Sequence, residues 1–344
     1  MKLDLVLEGG GVKGIALVGA LSVLEQRGFE FHRVVGSSAG AIVGSLTAAG
    51  MDTTTMESVV GSIDYRSFKD EGFLDHLGFA GKGLSFLFEK GIYEGDFLET
   101  WLTEQLASCH VSTFADLVDD DADPGSSSAD PRRAYKLVVT ASDISNGRLA
   151  LLPTDYSTHY PTADSDGGAN TRSVVEAVRC SMSIPFFYEP HALAYQTGPS
   201  HDQGTTALMV DGGMLSNFPV QVFDRTDGRQ PRWPTFGIKL SNRPDAMTAP
   251  PPIDGPLDFA KSLLATMMGF SDRAHVEDPK VISRTIFVDT LGVSATDFEQ
   301  VSTDEDLRRA LFDSGVSAAT SFLDGDGTPD HPAWTFDAYI AQQA

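Results

Sequence analysis

The sequence predicts an α/β fold: a three-layer sandwich whose central, mostly parallel sheet is flanked by helices. Three observations predict it. Strand and helix patterns alternate through the first 50 residues, glycine-rich turns separate them, and isolated apolar strand patterns recur far downstream. "LDLVL" (Leu3–Leu7) reads as a short buried strand bounded by a glycine run. "GIALVGALSVLEQRG" (Gly14–Gly28) carries Ile15, Val18, Leu21 and Leu24 at helical spacing, with Gly28 as its stop. "FHRVVG" is a second strand and "AGAIVGSLTAAG" a second helix, closed by Gly50.

Further along, "GIYEGDFLETWLTEQLA" predicts an amphipathic helix after a turn, and "YKLVVTASDI" (Tyr135–Ile144) a strand. "SVVEAVRCSMSIPFF" begins as a helix that Pro185 ends. "ALMVDGG" (Ala207–Gly213) reads as a strand running into a turn, "TFGIKL" (Thr235–Leu240) as another strand, and "LDFAKSLLATMMGF" as an apolar helix. No internal repeat and no composition shift divides the chain. The expectation is one domain over residues 1–344, with polar surface loops near 119–131, 162–170 and 243–256.

The chain has 344 residues, 41% of them hydrophobic, enough for a sizeable core. Its formal net charge of −23 excludes a general nucleic-acid surface, which needs clustered Lys and Arg. Two cysteines, Cys109 and Cys180, make no disulfide framework. The opening "MKLDLVLEGGG" lacks the long apolar core of a signal peptide, and no segment reaches the roughly 20 apolar residues of a membrane span. A cytoplasmic location is expected.

Gly36-Ser37-Ser38-Ala39-Gly40 fits G-x-S-x-G centred on Ser38. A serine hydroxyl is a weak nucleophile and must stand clear of the sheet, near a base and near oxyanion donors. A sharp strand-to-helix turn lifts it, and Gly36 and Gly40 remove side chains that would crowd that turn. Ser37 is the competing hydroxyl, without symmetric glycines. Directly after the first strand, Gly9-Gly10-Gly11-Val12-Lys13-Gly14 exposes backbone N–H groups at a helix start, suited to a phosphate or an oxyanion. The same run matches G-x-G-x-x-G, but a dinucleotide site wants an acid at the end of the second strand, about 20 positions on. Glu30 stands at that strand's beginning, and its end holds Gly36, Ser37 and Ser38. Asp211, followed by Gly212 and Gly213, ends the "ALMV" strand, at the edge where open α/β sheets place their chemistry. Taken alone, D-G-G is also an ordinary turn.

Together "GGGVKG", "GSSAG" and "DGG", with "SMSIPFFYEP" (Ser181–Pro190) between the last two, resemble the patatin-like phospholipase family. Motif similarity covers roughly Leu3–Gly50 and Val175–Pro219. The resemblance implies a lipid acyl hydrolase with a Ser–Asp dyad: Ser38 as nucleophile, Asp211 as base, and Gly9, Gly10 and Gly11 as the oxyanion loop. Lys13 falls where the family has Lys or Arg. It also implies a phospholipid or lysophospholipid substrate, transient contact with a membrane surface, and no metal or other cofactor.

The residues themselves favour a dyad. An α/β-hydrolase places several strands before its serine and a histidine after its acid, whereas here one strand precedes the nucleophile's own. His275 and His331 follow Asp211 but end no clear strand. An aspartate is a poor base at neutral pH, so burial that raises its pKa is expected at Asp211. Glu8 and Asp143 are the competing carboxylates; Glu8 would oppose an anion on the glycine loop, and Asp143 reads as a turn former. Gly72–Gly91 and Phe259–Phe270, with Met267 and Met268, are candidate walls of an acyl channel. The resemblance places "IPFFYEP" beside the acyl chain. Two alternatives remain: a nucleotide-binding module built on Gly9–Gly14, and a lipid-binding relative without turnover.

Overall fold

The computed structural model describes residues 1–68, 95–119, 134–162, 168–185, 187–197, 203–240, 278–325 and 332–343, with Ile253, Gly255, Phe259, Ser262, Leu263 and Thr266. The candidate channel segment Gly72–Gly91 and most of Phe259–Phe270, including Met267 and Met268, lie outside the described residues. So do His275, His331 and most of the three polar loops expected from composition.

Strand β1 (Lys2–Leu7) alternates its side chains between two buried faces: Leu3, Leu5 and Leu7 enter the larger core, Val6 the smaller. Helix α1 (Gly14–Gln26) returns the chain to β2 (Glu30–Gly36), which pairs parallel with β1. Gly28 takes φ +80° in that return, as a helix stop requires. Helix α2 (Ala39–Ala48) follows, then α3 (Thr53–Gly61), capped by Asp52, and α4 (Asp96–Ser108). Strand β3 (Leu137–Asp143) lies parallel to β2, and β4 (Arg148–Leu152) folds back antiparallel on β3. Helix α5 (Val174–Met182) leads to the antiparallel pair β5 (His191–Thr197) and β6 (Gln203–Asp211). Strands β7 (Thr235–Lys239) and β8 (Thr285–Phe287) complete the other edge, both parallel.

The sheet order is β5-β6-β3-β2-β1-β7-β8, with β4 paired to β3. It is a mixed sheet. The stretch from β2 to β8 is parallel, as the alternating strands and helices predict, whereas β4, β5 and β6 run antiparallel to their neighbours. Helices α6 (Glu305–Asp324) and α7 (Phe336–Gln343) close the chain. Helix α6 packs on α1 so tightly that a Cβ on Gly19 would sit 2.1 Å from the Phe312 carbonyl oxygen, and one on Gly315 2.0 Å from that of Ala16. The larger core lies on the face that these helices cover. On the opposite face Val6, Val35 and Val138 pack with Phe218, Val220, Val222, Phe223 and Val281. Among the described residues no helix is long and apolar enough to cross a membrane.

The register of β3 positions the site. Its first half pairs with β2, ending at Gly36 opposite Val139; its second half pairs with β6, beginning at Asp211 opposite Ala141. Only Thr140 separates the two junctions. The turn after β2 and the turn after β6 therefore meet at one rim of the sheet.

Candidate active site

Ser38 stands between the end of β2 and the start of α2 with φ 50° and ψ −123°, left-handed backbone that a side-chain-bearing residue rarely adopts. The surroundings hold it there. Its N–H donates to Ser181 Oγ at 2.8 Å, and its carbonyl accepts the N–H groups of Ala41 (2.8 Å) and Ile42 (3.2 Å). The two flanking glycines are required by close approach: a Cβ on Gly36 would lie 2.1 Å from the Gly40 carbonyl oxygen, and one on Gly40 2.2 Å from that of Leu7. Ser37 is a different kind of serine. Its hydroxyl donates to the Ser216 carbonyl at 2.9 Å and is hydrogen-bonded to Thr140 Oγ1, so it ties the two turns together. Ser38 Oγ lies 3.8 Å from the soft acceptor Met182 Sδ and within hydrogen-bonding reach of the Asp211 carboxylate.

Asp211 is buried beside it. Its N–H donates to the Ser183 carbonyl (2.9 Å), the Gly212 N–H to the Ser181 carbonyl (3.3 Å), and the Gly213 N–H to Asp211 Oδ1 (2.7 Å). Asp211 Oδ2 is buried, and the carboxylate is within hydrogen-bonding reach of the Ser38 side chain. Burial pushes the Asp211 carboxyl up to about 6, against the opposite pull of hydrogen bonding from the Ser38 side chain and the Gly213 N–H. Gly212 allows the turn to pass Thr140, whose carbonyl oxygen would be 2.3 Å from an added Cβ.

The glycine loop divides its amides. Gly9 N–H donates to the Asn217 carbonyl (3.4 Å), and Asn217 Nδ2 donates to the Gly9 carbonyl (3.2 Å). Gly9 is thus clipped to the segment just after Asp211, and its N–H is engaged. The N–H groups of Gly10 and Gly11 meet no acceptor among the described residues. Gly11 takes φ +56° with the Ala295 carbonyl against it, a place no side chain could share. Gly14 opens α1 and faces Ala39 and Val43 of α2 in ordinary contact. Lys13 is half-buried along Gly10, and burial pushes its ammonium below the ordinary lysine range while Glu8 pulls it back.

The competing carboxylates are occupied elsewhere. Glu8 is ion-paired with Lys239 and accepts the Leu240 N–H at 2.5 Å. Asp143 accepts from Ser145 N–H, Asn146 and the Tyr160 hydroxyl, the turn-forming role its sequence setting suggests. Glu30 is exposed at the start of β2. No histidine among the described residues hydrogen-bonds to Ser38 or Asp211. Ser181, Thr140 and Asn217 were not singled out by motif or spacing. Each acts through a long-range contact; the nearest sequence signal is the position of Asn217 six residues beyond Asp211.

Within "IPFFYEP", Phe187 packs on Phe298 with ring centroids 5.6 Å apart, and Tyr188 is buried near the Arg179 guanidinium. Arg179 is itself buried and donates to Ser183 Oγ at 2.5 Å. It thereby braces the residues that hold the Asp211 amide.

A protein of Bacillus subtilis (strain 168), YqhO, described as uncharacterized, is 32% identical over 323 residues, spanning 94% of this chain and 98% of that one. VipD of Legionella pneumophila matches in structure with a TM-score of 0.48 at 16% identity. Full-length ExoU of Pseudomonas aeruginosa, in complex with SpcU of the type III secretion system, matches with a TM-score of 0.45 at 17% identity. Those two matches cover 94% of this chain but only 66% and 53% of the longer chains. The family model for patatin-like phospholipases matches residues 5–224, a span that holds the glycine loop, Ser38 and Asp211, and the chain belongs to that family of lipid hydrolases.

Proposed function

We propose that the protein is a serine lipid acyl hydrolase that cleaves carboxylic esters of phospholipids or lysophospholipids through Ser38 and Asp211. The observation that carries this reading is the pairing itself: a strained serine beside a buried aspartate raised to about 6, with no histidine among the described residues bonded to either. A carboxylate of that basicity is a better general base near neutrality than an ordinary one. Asp211 Oδ2 would take the proton as Ser38 Oγ adds to the ester carbonyl. The N–H groups of Gly10 and Gly11 supply the oxyanion donors, with Gly9 fixing the loop rather than donating to substrate. Collapse then breaks the bond to the alcohol, which leaves with the proton from Asp211, and the acyl group stays on Ser38 until water releases it as a fatty acid.

The nucleotide-binding alternative fares worse. The end of β2 carries the Ser38 turn in place of a ribose-binding acid, and the Gly9 amide is engaged. The test compares fatty-acid release from phosphatidylcholine, lysophosphatidylcholine and p-nitrophenyl esters for wild type, Ser38→Ala and Asp211→Asn. Activity is expected in wild type alone, and equal activity in all three would end the proposal. Labelling of wild type by a fluorophosphonate, absent in Ser38→Ala, separates an active hydrolase from a silent lipid-binding relative.

A further inference from the structure

The Asn217 side chain has one end explained and one end not. Its NH2 group faces the Gly9 carbonyl, which can only accept, and this settles the orientation of the amide. Its Oδ1 is buried and without a partner among the described residues. The point where a Cβ on Gly9 would stand lies 2.3 Å from Asn217 Oδ1 and 3.0 Å from Ser38 Cβ, so the amide oxygen and the serine border the same side of Gly9. The buried Asp211 carboxylate takes hydrogen bonding from the Ser38 side chain in the free enzyme. A buried acceptor without a partner is destabilising, and an incoming O–H donor would relieve it.

Resting on the hydrolase reading, we infer that Asn217 Oδ1 receives the water that discharges the acyl-Ser38 intermediate. Once Ser38 is acylated it has no proton to offer Asp211, and the incoming hydroxyl becomes the donor. A water gives one hydrogen bond to Asn217 Oδ1 and one to Asp211 Oδ2. Its oxygen adds to the acyl carbonyl carbon as Asp211 takes the second proton. The tetrahedral intermediate collapses, the bond to Ser38 Oγ breaks, and Asp211 returns the proton to Ser38. The product is a carboxylic acid. An alcohol, with its single O–H directed to Asp211, would form a new ester without using Asn217 Oδ1, so the role of Asn217 belongs to water.

The experiment follows p-nitrophenyl ester cleavage by stopped flow in wild type, Asn217→Ala and Asn217→Asp, with intact-mass detection of acyl-Ser38 and fluorophosphonate labelling as a check on fold and acylation. Asn217→Ala loses the donor to Gly9 as well as the acceptor oxygen, so its first-turnover burst should slow to the same extent as that of Asn217→Asp, while fluorophosphonate labelling is retained. Its steady-state rate should fall about tenfold or more, with the acyl adduct accumulating. Asn217→Asp keeps an acceptor oxygen but loses the donor to Gly9, so its burst should slow without adduct accumulation. Burst and steady state falling together in Asn217→Ala, with no adduct, would overturn the inference and leave Asn217 as a clip for the glycine loop. If Asn217→Ala does not fold, adduct accumulation in Asn217→Asp overturns it and a clean, slow burst supports it. Added glycerol distinguishes the sources of the hydroxyl: fatty acid alone indicates water, and acylglycerol indicates an alcohol. A wild type that neither labels nor shows a burst would refute the hydrolase reading itself, and this inference with it.

Discussion

The two turns that meet at the site are built on opposite principles. The Ser38 turn lies in the parallel part of the sheet, and its geometry is set largely by Gly36, Gly40 and the start of α2, with the Leu7 carbonyl and the Ser181 hydroxyl as its two remote contacts. The Asp211 turn closes an antiparallel strand, and almost everything that defines it is remote in sequence. Its backbone is held by the carbonyls of Ser181 and Ser183, its glycine by the proximity of Thr140, and its position by pairing with Ala141. The first turn stores strain at the reacting atom, and the second stores an unfavourable burial of charge. A strained backbone can be specified locally, whereas a desolvated carboxylate requires a whole fold around it.

The comparison can be broken most severely at its two centres. Ser38→Ala and Asp211→Asn should each lower ester turnover by about 10³-fold or more, measured as kcat/KM on a p-nitrophenyl ester. Their stabilities should differ in a telling way. The unfolded Asp211 carboxyl titrates near 3.9 and the folded one at about 6, so the folded state binds the proton more tightly. The penalty for its charge is thus fully present above about pH 6 and fades as pH falls towards 4. Asp211→Asn should therefore stabilise the protein at pH 8, by up to about 3 kcal/mol in urea unfolding, and by little at pH 4. A loss of stability at pH 8 would mean that the aspartate is a structural anchor.

The local turn should be the more fragile to added volume. Gly40→Ala places a methyl against the Leu7 carbonyl and should cost about 3 kcal/mol, read as a lower urea midpoint, with activity lost even where folding survives. The pH profile sharpens the role of the second turn. With Asp211 required as its anion, kcat/KM should fall tenfold per pH unit below about pH 6. The smallest effect is expected where the turns are spliced. Ser181→Ala removes the acceptor for the Ser38 N–H and should cost about 1–2 kcal/mol of stability with roughly a tenfold drop in kcat and little change in KM. Ser181→Thr, which restores a hydroxyl, should recover part of the rate.

Legibility from sequence follows the same division. The parallel strands β1, β2, β3 and β7 and helices α1 and α2 are readable because their apolar runs and glycine stops are contiguous. The three-residue β8 offers too short a run for periodicity, and α6 dilutes its apolar face with Gly315 and Ala319 where it crosses α1. Ser38, Asp211 and the glycine loop announce themselves through glycine spacing. Ser181, Thr140 and Asn217 do not, since an isolated serine, threonine or asparagine carries no pattern until its partner is known.

By itself, then, the amino-acid sequence determined the chemical parts: a serine on a turn that only small neighbours permit, a carboxylate followed by glycines, a glycine run at a helix start, and a strongly acidic charge balance. These are consequences of local sterics and composition, which act over a few residues. The tertiary structure alone decided that β3 changes partner between Val139 and Ala141, that the Gly9 amide is engaged while those of Gly10 and Gly11 meet no acceptor among the described residues, and that Asp211 is dry enough to be basic. Burial and register arise from the packing of distant segments, and no short stretch of chain can encode them.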